Sequence, residues 1–246
     1  MADLSRPTER FGSRAPAYAS HRPSYPAGAI EWVLAGLGDA RGLVVADVGA
    51  GTGISSRPFA DRGAAVIAIE PNAAMREAAR EHPGVRWHDG TAEQTGLADR
   101  SVDVAVACQA FHWFATSATM REFARVARHR AAILQYERNE RDPFTDEYGK
   151  IVRAYARDDT EARRLAALAE FERFPNARVR RAEFPSAQNL TLDGVLGRAA
   201  SSSYLPDAGS ERDAMQRDLR AAFARFERGG TIDLAMVTHV MIAEFV

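Results

Sequence analysis

Two rhythms of apolar positions run along this chain. Short apolar runs fall at 43–48 (LVVADV), 64–69 (AAVIAI), 85–89, 102–107 (VDVAVA) and 131–136 (AAILQY). Between them, apolar side chains recur at helical spacing over 27–37, 54–62, 72–82 and 117–129. Continuous runs suit strands buried on both faces, and strands alternating with helices predict a parallel sheet covered on both sides.

After Tyr136 the pattern changes. Residues 144–174 predict two helices, and 178–184 alternate with period two. Residues 210–227 place Met215, Leu219, Phe223 and Phe226 on one helical face, which is expected to pack in the core. The stretch 231–245 is expected to be a closing strand, antiparallel at the sheet edge. No repeat or low-complexity linker divides the chain, so the part after the fifth strand is a helical elaboration of one domain over 1–246.

Composition narrows the classes. The chain has 246 residues, 46% of them hydrophobic, and 32 basic residues against 33 acidic give a net charge of −1. That balance offers no general attraction for a phosphate backbone, so nucleic acid is not an expected partner. No apolar run is long enough to cross a membrane, and no membrane partner is expected. The opening MADLSRPTER is polar where a secretory signal requires a basic start and an apolar stretch, so the expected location is cytoplasmic. Cys108 is the only cysteine, which leaves no internal disulfide and no thiolate metal cluster. No metal is expected. Lys150 is the only lysine, a bias that fits a GC-rich genome.

The densest chemical signal is LVVADVGAGTGIS, residues 43–55. An apolar run ends on Asp47, and Gly49, Gly51 and Gly53 follow on alternate positions. Ligands of open α/β sheets bind beyond the carboxyl ends of strands, and a glycine turn lets a ligand lie on the backbone at a helix N-terminus. The dinucleotide fingerprint G-x-G-x-x-G fails here, because Ile54 stands where its third glycine belongs, and the phosphate loop fails for want of its lysine. Asp47 favours a ligand that is positively charged at this end. Glu70, closing the second apolar run, is placed to accept hydrogen bonds from a ribose diol. A nicotinamide-dependent oxidoreductase and a non-catalytic binding protein stay open as alternatives on these residues.

Several segments together carry a resemblance. VVADVGAGTG resembles the first motif of class I S-adenosylmethionine-dependent methyltransferases, and AIEPNAAM (68–75) their ribose motif. GTAEQTGL (90–97) is similar to the adenine loop, VDVAVACQAFHWF (102–114) to the fourth strand and its exit, and EFARVAR (122–128) to the next helix. FGSRAPAYASHRPSYP (11–26) and ERNERDPFTDEY (137–148) are similar to a small-molecule subgroup of the methyltransferase type 11 kind that includes trans-aconitate methyltransferase-like enzymes.

This resemblance implies a Rossmann-like α/β fold, a seven-stranded mostly parallel sheet with helices on both faces and the last strand antiparallel. It divides the domain into an N-terminal lid (1–28), a cofactor-binding half (29–137) and a substrate-specificity half (138–246). It implies methyl transfer from S-adenosyl-L-methionine to an O, N or C atom of a small molecule, with specialised metabolism as an expected setting. Gly49, Ala50, Gly51 and Gly53 would line the methionyl part, with Asp47 near the ammonium and Arg22 or Tyr18 at the carboxylate. Glu70 would hold the ribose, Pro71 and Met75 would flank the adenine, and Gln109 and Ala110 would meet the cofactor after the fourth strand. Thr91 stands before Ala92 where the family usually has Asp, leaving Thr91, Asp89 or Glu93 as the polar adenine partner. HRAA (129–132) replaces a common Pro-Gly-Gly, which is expected to alter only a turn. His112 is the candidate general base, since its ordinary pKa suits proton transfer at neutral pH. Tyr18, His21, Tyr25, Trp113 and Asn139 are the candidate acceptor contacts, and Arg22 is also suited to an acidic acceptor.

Overall fold

The computed structural model describes residues 15–245, so residues 1–14 of the expected lid lie outside it. Seven strands form one sheet: β1 (Val44–Val48), β2 (Ala65–Ile69), β3 (Val85–His88), β4 (Val102–Cys108), β5 (Ala127–Arg138), β6 (Ala177–Leu190) and β7 (Ile232–Phe245). Their order is β3-β2-β1-β4-β5-β7-β6. Strands β1 to β5 pair in parallel, and β7 runs antiparallel to both β5 and β6. The expected Rossmann-like sheet is therefore present.

The helices are α1 (Ala15–His21), α2 (Ala27–Leu34), α3 (Ser56–Ala60), α4 (Ala73–Glu77), α5 (Ser117–Val126), α6 (Pro143–Ala154), α7 (Thr160–Phe171), α8 (Leu192–Ala200) and α9 (Gly209–Phe226). They cover both faces. Successive strand residues point opposite ways, so Val45, Val104, Leu134 and Ile242 join α2, α3, α6, α8 and α9 in one core layer. Ala46, Ala105, Ile133 and Ala243 face the other layer, built on α5 and α7. Small residues predominate on that second face, which lets Phe123 and Phe171 approach the strands and become fully buried. Met215, Leu219 and Phe223 are buried as the helical stripe predicts, with Phe226 packed at the border.

The structure differs from the sequence reading at three places. Strand β7 is not at the edge: it lies between β5 and β6, and the long alternating strand β6 forms the margin. HRAA does not form a turn. Residues 129–132 belong to β5, where Arg130 pairs with Val104 and Glu244 and donates to the carbonyls of Val33 and Ala35 at the end of α2. Helix α8 is the third difference. Two glycines and an arginine hide its periodicity, while Thr191 caps it by accepting the N–H of Gly194 and Asp193 lies in its first turn. Helices α3 and α4 are also shorter than their apolar patterns suggest.

Candidate cofactor cleft and active site

A cleft of about 300 Å³ opens over the carboxyl ends of β1, β2 and β4. Its floor is the turn after β1. Gly49, Gly51 and Gly53 all adopt positive φ, at 71°, 59° and 71°, a region that glycine enters without strain. Space restricts them as well. A Cβ on Gly49 would lie 2.8 Å from the Ala110 Cβ, one on Gly51 3.2 Å from the Met75 Cε, and one on Gly53 3.1 Å from the Trp87 ring. Gly49 and Gly51 line the cleft. Gly53 does not; its place serves packing against β3.

Glu70 ties this turn to the next strand. One carboxylate oxygen accepts the N–H of Gly51 and the other that of Asn72, each at 2.9 Å. Burial raises its pKa, opposed by those two N–H groups and the nearby Arg76. Pro71, Asn72 and Met75 continue the wall, with Asn72 capping α4 by accepting from the Met75 N–H. Opposite them stand Gly90, Thr91, Ala92 and Glu93. Their loop is held by Glu122 of α5, which accepts both the N–H and the hydroxyl of Thr95 at 2.8 and 2.6 Å. The Thr91 hydroxyl accepts the N–H of Gln94. Asp89 points to solvent toward Arg76 and is not part of the wall.

Asp47 lies beneath the floor, fully buried. Its Oδ2 accepts the hydroxyls of Ser55 and Ser56 at 2.7 and 2.6 Å, and its Oδ1 has no hydrogen-bond partner among the described residues. Burial pushes its carboxyl up to about 6 against the pull of the serines. A buried acid with an open oxygen is suited to a cation placed above it.

At the other end of the cleft are Tyr18, Arg22, Tyr25, Gln109, Ala110, Trp113, Phe114 and Tyr136. Arg22 follows α1 but is anchored in the C-terminal half: it donates to the carbonyl of Ser201 at 3.0 Å, the Ser202 hydroxyl at 3.2 Å and the Tyr136 hydroxyl at 3.4 Å. Its guanidinium stacks 4.9 Å over the Tyr18 ring. Gln109 adopts φ 55°, a conformation uncommon outside glycine, fixed by its side-chain N–H donating to the carbonyl of Tyr136 at 2.7 Å. This strained residue turns the chain from β4 into the short helical turn Phe111–Trp113.

The comparisons with known proteins fit this geometry. The methyltransferase domain family matches residues 46–134. An uncharacterized methyltransferase of Mycobacterium tuberculosis is 35% identical over 197 residues, covering 79% of this chain and 76% of that protein. The chain belongs to the class I methyltransferase family. A methyltransferase-like protein of Schizosaccharomyces pombe is 28% identical to this methyltransferase over 79% of each chain. The fold of this chain also matches a structure described as a putative type II methyltransferase from Anaeromyxobacter dehalogenans, with TM-score 0.67 and 24% identity over 91% of this chain and 97% of that one.

Not every residue singled out in the sequence lies on the wall of the methyltransferase cleft. His112 is buried but faces a narrow neck beside the cleft, together with Tyr18, Arg22, Gln109 and Trp113. The His21 ring packs on Gly197 of α8, where a Cβ would overlap it; its carbonyl accepts from Gln188. Asn139 spends its N–H on the Ala235 carbonyl and its side chain on the turn to Arg141. Neither His21 nor Asn139 lines a cavity found here among the described residues. Conversely, the sequence reading passed over Asn72 and Tyr136 as wall residues. Only Tyr136 had a usable signal, its position near the end of an apolar run. Cys108 also borders the cleft, and burial raises its thiol pKa.

Proposed function

We propose that this methyltransferase binds S-adenosyl-L-methionine in the cleft and transfers its methyl group to a small molecule. The distribution of charge along the wall carries this reading. Glu70 stands at the adenosyl end and Asp47 lies buried with an open oxygen beneath the glycine turn, while Arg22 is the only basic side chain among the described lining residues. A diphosphate would find an acid below it and one guanidinium at the far end. An adenosyl sulfonium with an amino-acid tail suits the same groups: ribose on Glu70, adenine between Met75 and the 90–93 loop, ammonium toward Asp47 and carboxylate toward Arg22.

When bound, S-adenosylmethionine supplies an electrophilic methyl: the acceptor's lone pair forms the new bond as the S–C bond breaks and its electron pair stays on sulfur. The protein's task is alignment, which can supply roughly 7–11 kcal/mol of the barrier reduction. Trp113, Phe114 and Tyr18 exclude water at that end, and an aromatic face favours a cation beside it. His112, at the neck, is the proposed base for acceptors that give up a proton. The described part of the expected lid, residues 15–28, covers the cleft in this reading, and the tie of Arg22 to Ser201 and Ser202 supports closure onto the 138–246 half. The confined cleft and the net charge of −1 favour a small molecule over a nucleic acid. A single cysteine favours the cytoplasm.

Calorimetric titration with S-adenosylmethionine, S-adenosylhomocysteine and NAD tests the assignment. Saturable binding of the first two with no NAD binding is expected; NAD uptake alone would reverse it.

A further inference from the structure

Between the cleft and an outer recess of about 280 Å³ lies the neck, about 30 Å³ in volume, room for roughly two waters. Three separate segments close it: Tyr18 and Arg22 in and just after α1, Thr160 and Arg164 at the start of α7, and Ser203 and Tyr204 after α8. Gln109, His112 and Trp113 complete the wall.

The charge around this small space does not balance. Arg164 forms no hydrogen bond or ion pair with any described residue, and its Nε is buried without a partner. Arg22 donates only to neutral oxygens, those of Tyr136, Ser201 and Ser202. Behind Tyr136, Arg198 is 6% exposed, its guanidinium 5.7 Å from the ring and its Nε also without a partner. No carboxylate lines the neck among the described residues. The nearest acids line the outer recess and serve other donors: Glu137 accepts from Gln135, Asp158 from Thr160, and Asp159 from Ala162 at the cap of α7. Tyr204 registers the surplus: burial would raise its phenol, yet Arg164, Arg22, Arg138 and Arg198 bring it down to about 8. Guanidinium charge withdrawn from water calls for a counter-charge. The volume decides its kind, because a space of roughly two waters admits a single-atom ion with one water and excludes the body of an organic molecule.

We propose that the neck is a binding site for a monovalent inorganic anion of chloride size, seated against the Arg164 guanidinium. The ion is a counter-charge and takes no methyl group. It ties α1, α7 and the 201–204 segment together at one end of the cleft, with Arg22 and Arg198 adding to the field that holds it. It requires no cofactor, since Arg164 lies outside the cleft wall.

The probe is chloride, titrated into the full chain without cofactor in sodium gluconate at constant ionic strength, gluconate being too large for the neck. The line width of the chlorine magnetic resonance reports the bound ion, and tyrosinate absorbance reports Tyr204, with Tyr204→Phe identifying its signal. Wild type is expected to broaden the chloride line in a saturable way that bromide reverses, and chloride to move the Tyr204 titration upward toward the ordinary phenol value. Arg164→Gln is expected to weaken chloride roughly tenfold or more, a cooperative urea transition in gluconate certifying that the variant folds. Absence of saturable broadening by wild type, a Tyr204 titration indifferent to chloride, or equal broadening by wild type and folded Arg164→Gln would each overturn the proposal. Acetate displacing chloride at lower concentration than bromide does would overturn the choice of an inorganic ion. The two wild-type measurements judge the site whatever the fold of the variant.

Discussion

The carboxylate of Glu70 accepts the backbone N–H of Gly51 at 2.9 Å, joining the end of β2 to the turn after β1. Strand spacing brings the two within reach, since Val48 pairs with Ile69 at the end of the β1–β2 ladder. The same carboxylate is therefore a support for the cleft floor and, in the proposed function, a receptor for ribose. Glu70→Ala is expected to weaken S-adenosylhomocysteine about 10–150-fold, the equivalent of about 1.5–3 kcal/mol for hydrogen bonds to a charged group. Calorimetry beside a urea melt separates lost binding from a loosened floor.

Gly49→Ala should be more damaging than Gly51→Ala. Both force alanine into a left-handed conformation at roughly 1–2 kcal/mol. The new Cβ at position 49 also meets the Ala110 Cβ at 2.8 Å, whereas at position 51 it meets the movable end of Met75. A greater fall in Tm for Gly49→Ala is the expected result, and equal falls would show that crowding at Ala110 is relieved without loss.

Asp47 sets a pH dependence with a definite sign. Its folded pKa of about 6 lies above the ordinary value of 3.8 for this carboxyl. Between those values the folded state keeps a proton that the unfolded chain has lost, so stability falls as pH rises from about 4 to about 6 and then levels off, by on the order of 3 kcal/mol. Asp47→Asn removes this slope. Unfolding free energies of the two proteins across that interval, without cofactor, should converge at the acid end and diverge above it.

Tyr204 gives the opposite sign. A phenol at about 8 instead of 10 loses its proton earlier in the folded state, which contributes stability as pH rises from about 8 to 10. Arg164→Gln removes the strongest of the four attractions and is expected to move the phenol upward. Ultraviolet absorbance of tyrosinate follows it, with Tyr204→Phe identifying the signal.

The first half of the sheet was legible because β1, β2 and β4 are largely apolar runs with a chemically distinctive residue at or just past the end of each: Asp47 with its glycines, Glu70, Gln109. The β7 position was not legible. Alternation and length describe a strand's faces but not its neighbours, and only the two ladders, to β5 on one side and β6 on the other, reveal that β7 is interior. Helix α8 was hidden by Gly194 and Gly197, whose small size admits the Leu190 and His21 side chains. In the site, residues adjacent to motifs reached the cleft wall, while His21 and Asn139 were drawn elsewhere by contacts distant in sequence. Arg164 was invisible for a related reason. An arginine on a polar helix reads as solvent-facing until the chain packs it beside Tyr204.

Insertion of β7 between β5 and β6 also orders the assembly of the molecule during synthesis. The open edge of β5 can find its proper neighbour only once residues 232–245 have left the ribosome, well after the cofactor half is available to fold. Until then the nascent chain carries an unpaired strand edge of the kind that invites association with other chains, so the acceptor-side half is the part most dependent on protection by chaperones.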